Sequence, residues 1–199
     1  MTDRSDQRKA MRLVLRARRA ALPPEDQDAA AMAVMARLSR IKVVRAASLV
    51  AGYRAVRGEV DIDAAMALMA TDNTVVTVPR VVGEYLEFVP WEMEGITFEG
   101  PFGIPEPADG HPRPLLKHDV VLAPLVAFDE HGHRLGQGGG FYDRAMAARK
   151  AHTPVVIGIA HAFQQVDLVP TESWDIPLDA VVTEEAVIEF TPGCLESVV

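Results

Sequence analysis

"DVVLAPLVAFDEHGHRLGQGGGFYDR", residues 119–144, opens on the strongest buried-strand candidate in the chain and ends on four glycines in five positions followed by aromatic and charged residues. A short apolar run bounded by turn residues suits a strand covered on both faces, as in a parallel sheet. The segment reads as strand (119–128), turn (Asp129 to His133), glycine loop (136–140) and helix (141–149). A glycine loop that opens a helix exposes unpaired backbone N–H groups beside the positive end of the helix dipole. Glycines also allow positive φ and close approach of an anion to the backbone. A phosphate is the natural guest, with Arg134 and Arg144 as flanking charges. The same spacing also suits a plain turn closing a strand–helix unit. Two better-known loops are absent: Phe141 breaks G-x-G-x-x-G, and there is no G-x-x-x-x-G-K-[ST].

Outward from this segment, strands and helices alternate. "SDQRKAMRLVLRARRAAL" reads as a helix capped by Ser5 and stopped by Pro23-Pro24, and "PEDQDAAAMAVMARLSRI" as a second, Ala-rich helix. "AASLVAGY" is a short buried strand, "GEVDIDAAMALMA" turns into a helix, and "NTVVTVPRV" is the next strand. Residues 85–114, rich in proline and glycine, predict a short strand or two and an irregular loop. "PVVIGIA" and "DAVVTEEAVIEF" supply the closing strands. This order predicts an α/β fold: one domain over residues 1–199, in three layers, with a mostly parallel sheet and helices on both faces.

No stretch approaches the roughly 20 apolar residues of a membrane span, and the N-terminus lacks a secretory apolar core. The single cysteine, Cys194, excludes an internal disulfide framework, so the expected location is the cytoplasm. Charge is asymmetric: residues 1–45 hold 11 Lys+Arg against 5 Asp+Glu, and the remainder 9 against 23. At about 100° per residue, Arg8, Arg12, Arg16 and Arg19 share one stripe of the first helix. That stripe suits an anionic small molecule or RNA, or is a solvated face.

The segment "LAPLVAFDEHGHRLGQGGGFYDR" resembles the signature of the 5-formyltetrahydrofolate cyclo-ligase (5,10-methenyltetrahydrofolate synthetase) family, R-L-G-x-G-x-G-Y-Y-D after a strand ending in an aromatic-Asp pair. Further matches run in order along the chain: "RKAMR" (8–12), "GEVD" (58–61), "FGIPEP" (102–107) and "GIAHAFQQVDLVPTESWDIPLDAVVTE" (158–184). Gln137 stands where the family often has Arg or Lys, and Phe141 where it often has Tyr.

The resemblance implies ATP- and Mg²⁺-dependent cyclisation of 5-formyltetrahydrofolate to 5,10-methenyltetrahydrofolate. Arg8, Lys9, Arg12 and the run Arg134, Leu135, Gly136, Gln137, Gly138, Gly139, Gly140, Phe141 and Tyr142 would bind ATP. Arg12, Arg54, Glu59, Gln137, Gly138, Gly139, Gly140 and Phe141 would bind the folate. Arg134, Gly138, Gly140 and Tyr142 would act at the reacting centre, and Asp143 and Asp175 would hold the metal. Phosphoryl transfer needs positioning and charge neutralisation more than a protein nucleophile, which agrees with the absence of a G-x-S-x-G elbow. Asp175 also suits a turn, and Asp179 a structural role. Arg16, Arg18 and Arg19 are expected to be solvated. Phe88, Trp91 and Phe102 are candidates for an apolar wall against the folate rings, although core packing is the commoner fate of such residues. His131, His133 and His161 lack metal-ligand spacing. Two other readings remain at this level: a phosphosugar isomerase or CoA-transferase-like enzyme, and an RNA-binding module using the basic helix. Neither nucleic acid nor membrane is the expected partner.

Overall fold

The computed structural model describes residues 3–150 and 152–196. Helices α1 (Arg4–Ala20), α2 (Pro24–Leu38) and α3 (Lys42–Ala46) lead into strand β1 (Leu49–Ala51). Helix α4 (Asp63–Thr71) and strands β2 (Val75–Val82), β3 (Tyr85–Pro90), β4 (Thr97–Glu99) and β5 (Pro105–Pro107) follow. The second half contains β6 (Val120–Pro124), β7 (Ala127–Phe128), β8 (Arg134–Leu135), α5 (Phe141–Met146), β9 (Val155–Ile159), β10 (Ala180–Val182) and β11 (Val187–Glu189).

Seven strands form one sheet in the order β11-β10-β9-β6-β1-β2-β3. The five inner strands run parallel, and β3 and β11 close the edges antiparallel. Alternate residues feed opposite faces, as a two-residue side-chain period requires. Val50, Val120, Leu122 and Ile157 pack with Val34, Leu38 and Met66 of α2 and α4. On the other face Ala51, Val121, Ala123 and Val156 pack with Met146 of α5 and with Phe88, Leu115 and Phe128. Leu15 anchors α1 through a third cluster with Val126, Ala127 and Leu135. The three-layer α/β architecture is therefore as expected. No helix among the described residues is long and apolar enough to cross a membrane.

Local departures have physical causes. Helix α1 starts at Arg4 with Asp3 at its N-cap and no side-chain cap bond, so Ser5 is not the cap. The apolar run 119–128 is not one strand. Proline 124 ends β6, and the Leu125 and Val126 carbonyls are taken by Arg19 and Gln164 side chains, not by a sheet neighbour. Strands β7 and β8 then pair as a separate hairpin. Helix α5 ends at Met146, short of residue 149, where the Arg149 guanidinium turns to Asp179 and the Pro154 carbonyl.

The sheet has one reversal that matters for function. From β1 the chain moves one way to β2, and from β6 the other way to β9, so β1 and β6 flank a topological switch point. Crevices outside the carboxyl ends of such strands are where open α/β sheets bind ligands.

Candidate active site

The loops leaving β1 and β6 meet across a cleft of about 340 Å³, within the size range of small-molecule sites. Its lining joins Tyr53 to Glu59 after β1, the β2–β3 ribbon, the β4–β5 hairpin and the glycine loop with the start of α5. Two glycines of the loop adopt positive φ, Gly138 at 108° and Gly140 at 64°. Such backbone is strained for any residue with a Cβ. The loop is therefore built for glycine. Because α5 has only six residues, the loop's own N–H groups, more than a helix dipole, would supply the donors.

The arginine stripe of α1 faces this loop. Arg12 donates from Nε to the Gly136 carbonyl at 2.9 Å, and its guanidinium carbon lies 3.7 Å from where a Cβ on Gly138 would stand. Arg16 donates to the Gln137 carbonyl at 2.5 Å and to its Oε1 at 2.9 Å. Arg19 is 1% exposed and reaches Glu59 at 3.5 Å, with further bonds to the Arg57 and Leu125 carbonyls. Arg16 and Arg19 are thus not solvated as expected, because the helix turns their face inward. Arg18 stacks over the Phe163 ring at 4.3 Å. Lys9, about 100° around the helix from Arg8, is 71% exposed and pairs with Asp6, so the structure does not bring it to the cleft. Arg144 likewise departs from a phosphate-facing role, docking on the Glu84 carbonyl and over the Phe141 ring.

Glu59 is buried, and burial raises its carboxyl above the usual range, countered in part by Arg19, the Val56 N–H and Gln137. Its Oε1 accepts from Gln137 Nε2 at 2.6 Å. A relay from Arg16 through Gln137 to Glu59 therefore ties the loop to the β1 exit. Arg54 lines the cleft but pairs with Asp63 at 2.8 Å. Of the three candidate aromatics, Phe88 and Trp91 are core residues, while Phe102 lines the cleft edge-to-face with Phe141 at 6.0 Å. Leu135 is fully buried behind the loop and supports it from the core.

Arg134 and Asp143 form an ion pair at 2.5 Å, and Asp143 Oδ1 also accepts the Ile176 N–H at 3.1 Å. That bond ties Asp143 to the backbone one residue after Asp175, whose carboxylate Arg8 clamps through both terminal nitrogens at 2.5 and 3.3 Å. Burial alone would raise the Asp175 carboxyl, but Arg8 and the Glu172 N–H outweigh it and hold it below the usual carboxylate range. Among the described residues no group of three or more His, Cys, Asp or Glu could hold a metal ion by itself. Asp143 and Asp175, each held by an arginine, are of the ligand type Mg²⁺ takes, one or two carboxylates together with substrate phosphate oxygens. Asp179 is structural, bonded to Arg149, His152, Thr191 and the Val156 N–H. Cys194 is buried and burial pushes its thiol up to about 12, so it is unreactive.

Three buried side-chain atoms of cleft residues have no partner among the described residues: Glu106 Oε2, Arg134 Nε and Tyr142 OH. Buried polar atoms are normally paired, so three unpaired ones on residues that line one cleft mark it as the candidate site. Arg134 and Tyr142 were expected here. Glu106 was missed, although its "FGIPEP" segment carried a motif match.

Relatives agree with this geometry. The family model described as the 5-formyltetrahydrofolate cyclo-ligase family matches residues 4–184. A 5-formyltetrahydrofolate cyclo-ligase of Haemophilus influenzae is 33% identical over 179 residues, covering 87% of this chain and 96% of the relative. The cyclo-ligase of Escherichia coli K12 is 52% identical over 77 residues, a stretch spanning 39% of this chain and 42% of that protein. The solved 5,10-methenyltetrahydrofolate synthetase of Aquifex aeolicus superposes with a TM-score of 0.81 at 29% identity, covering 94% of each chain. By its matched length, its fold and the loop at its sheet's switch point, the chain belongs to the 5-formyltetrahydrofolate cyclo-ligase family of enzymes.

Proposed function

We propose that this protein, as one domain over residues 1–199, cyclises 5-formyltetrahydrofolate to 5,10-methenyltetrahydrofolate with ATP and Mg²⁺, releasing ADP and phosphate. The observation that carries the reading is the cleft lined by the glycine loop, Arg16 and three residues with an orphaned polar atom, with Arg12 bonded to the same loop at Gly136. A formyl oxygen is a poor leaving group, so it first attacks the γ-phosphorus of ATP, and ADP departs. N10 then attacks the activated carbon, the phosphate leaves with the former formyl oxygen, and the N10 proton is released. Positioning and charge stabilisation carry such transfer.

In this reading the N–H groups of Gly138 to Gly140 and the terminal nitrogens of Arg12 hold phosphate oxygens. Arg134 and Tyr142, each with an orphaned polar atom, face the reacting centre. The Arg16–Gln137–Glu59 relay fixes the inner side of the loop against the folate, and Phe102 and Phe141 cover its rings. Asp143 and Asp175 would hold Mg²⁺ with the phosphates, and the ion supplies neutralisation of their charge. Arg8 holds Asp175 in position. Neither nucleic acid nor membrane enters this reading, and we place the protein in the cytoplasm.

The test is purified protein with ATP, Mg²⁺ and 5-formyltetrahydrofolate, followed by methenyl absorbance. Asp143→Asn is expected to lower kcat by about 100-fold or more, as for loss of a group that stabilises transferring charge, in protein that still folds but melts earlier for want of the Arg134 ion pair. No methenyl product from the unaltered protein, or full activity with Asn at both 143 and 175, would overturn the reading.

A further inference from the structure

The turn that carries Glu59 into the cleft is held by a residue that nothing above uses. Arg57 and Gly58 both take positive φ, 53° and 74°. For arginine that region is unfavourable, and it persists only where surrounding contacts hold it. Buried donors take both carbonyls. Arg19 donates from Nε to the Arg57 carbonyl at 3.0 Å, and His161 Nε2 stands 3.0 Å from the Gly58 carbonyl.

His161 follows β9 and is 2% exposed, its ring stacked on Phe163 at 5.5 Å and 10°. The ring also accepts the Gln164 N–H, while Gln164 Oε1 accepts the His161 N–H at 2.9 Å. A carbonyl needs a donor, so the ring proton sits on Nε2 and Nδ1 is the acceptor toward Gln164. Both bonds require a neutral ring. Burial, with Arg19 nearby, keeps the imidazole below its ordinary value, against the pull of the Gly58 carbonyl and Glu184.

Gln164 in turn donates from Nε2 to the Leu125 and Val126 carbonyls beyond β6, at 2.8 and 2.9 Å. The exits of β1, β6 and β9 are thus tied in one buried network, and Glu59 is its working end. Glu59 closes on the turn, its N–H bonded to the Val56 carbonyl at 3.1 Å and its Oε2 accepting the Val56 N–H at 3.2 Å. Its Oε1 accepts from Gln137 of the glycine loop at 2.6 Å. A displaced Gly58 therefore displaces Glu59, and through it the loop.

We propose that His161 is a positioning residue: by donating to the Gly58 carbonyl it holds the strained turn, and through Glu59 and Gln137 it sets the glycine loop for phosphoryl transfer. His161 is not among the residues that line the cleft, so it acts through the turn. The inference rests on the phosphate reading of the loop.

The experiment compares His161→Asn with His161→Gln. Both variants lose the ring and its stack on Phe163, so a difference between them reports the bond to Gly58 and not the packing. The shorter amide reaches about as far as Nδ1 and keeps an acceptor for Gln164. The longer one reaches as far as Nε2 and keeps the donor for Gly58. For His161→Asn, kcat per folded molecule is expected to fall roughly 10- to 100-fold, the cost of misplacing a reacting group by about 1 Å. The ATP and folate KM values should stay nearly unchanged, as for an interaction that matters in the transition state. His161→Gln should turn over close to the unaltered rate. Hydrogen exchange supplies a readout independent of catalysis. The Val56 and Glu59 amides, both bonded within the turn, should exchange faster in His161→Asn and as in the unaltered protein in His161→Gln. Should His161→Asn fail to fold, His161→Phe keeps a stacking ring without the donor and is expected to show the same two losses. Equal kcat in the folded variants, or full protection of both amides without the donor, would overturn the proposal. Absence of methenyl product from the unaltered protein would overturn the phosphate reading, and the exchange rates would still decide whether His161 holds the turn.

Discussion

Gly138 and Gly140 are the residues at which backbone geometry and chemistry are hardest to separate. Both take positive φ, yet an added Cβ would meet only flexible guanidinium atoms, 3.7 Å from Arg12 at Gly138 and 2.9 Å from Arg144 at Gly140. Replacing either by Ala is therefore expected to destabilise by about 1 kcal/mol, the cost of forcing an L residue into that region. If the loop cradles transferring phosphate, turnover should fall by far more than this, roughly 100-fold. Melting temperature against kcat decides the matter, and a destabilised but fully active Gly140→Ala would return the loop to a turn. The loop itself was legible in the sequence, because glycine density beside charged residues is a local signal. Arg16 was not legible. Its partner Gln137 lies 121 positions away, and only the packing of α1 over the loop brings them together. The Gln at 137, which departs from the family's usual cation, acquires its guanidinium from Arg16 instead. Glu106 was missed for the same reason, since nothing local shows which carboxylate ends up without a partner.

At the scale of elements, α1 is seated by the turn after β1. Arg19 from α1 donates to the Arg57 carbonyl at 3.0 Å and pairs with Glu59. Between them stands Gly58, at φ 74°, where a Cβ would lie 2.7 Å from the Arg19 carbonyl oxygen. That contact is with backbone, so it cannot be relieved by a side-chain rotation. Gly58→Ala is thus expected to cost more than the ~1 kcal/mol of a strained φ alone and to lift α1 from the cleft. Denaturant unfolding would measure the stability loss. The ATP and folate KM values should both rise, because the Arg12–Arg16 face and Glu59 move together. A loss confined to stability would show that α1 holds its position without this contact. The sequence made α1, α2 and the main strands legible through periodicity and proline stops. It did not make legible the break of the 119–128 run at Pro124, since the Leu125 and Val126 carbonyls are claimed by side chains from α1 and the turn at Ala162–Gln164.

Over the whole molecule, the order of the sheet decides where the site lies, and that order was only partly legible. Alternating elements predicted a parallel sheet, but the reversal between β1 and β6, which opens the cleft, depends on long-range pairing. The same packing buries ionisable groups, and their shifts give the protein a specific response to acid. His118 and His161 are buried, and burial holds both imidazoles below their ordinary value despite carbonyl partners at Leu115, Pro114 and Gly58. A depressed folded-state value means that their contribution is fully present above the unfolded value, near 6.5, and is lost as pH falls through the folded one. Asp129 adds a later step. Burial works against its charge, but the Val169, His133 and His131 N–H groups and the His133 ring outweigh it and hold its carboxyl low. Its contribution is present above about pH 3.9 and is lost below that. Glu59, Asp63 and Glu106, raised chiefly by burial, act in the opposite sense: their cost is present at neutral pH and is relieved on acidification. Difference measurements isolate each group from this background. The gap in melting temperature between unaltered protein and His118→Gln should shrink as pH falls below about 6.5. The gap for Asp129→Asn should hold steady across that range and shrink only below about pH 4, because a protonated Asp resembles Asn. A gap constant from pH 7 to pH 5 for His118→Gln would mean that the buried imidazole at the Thr77 contact is not held neutral by its surroundings.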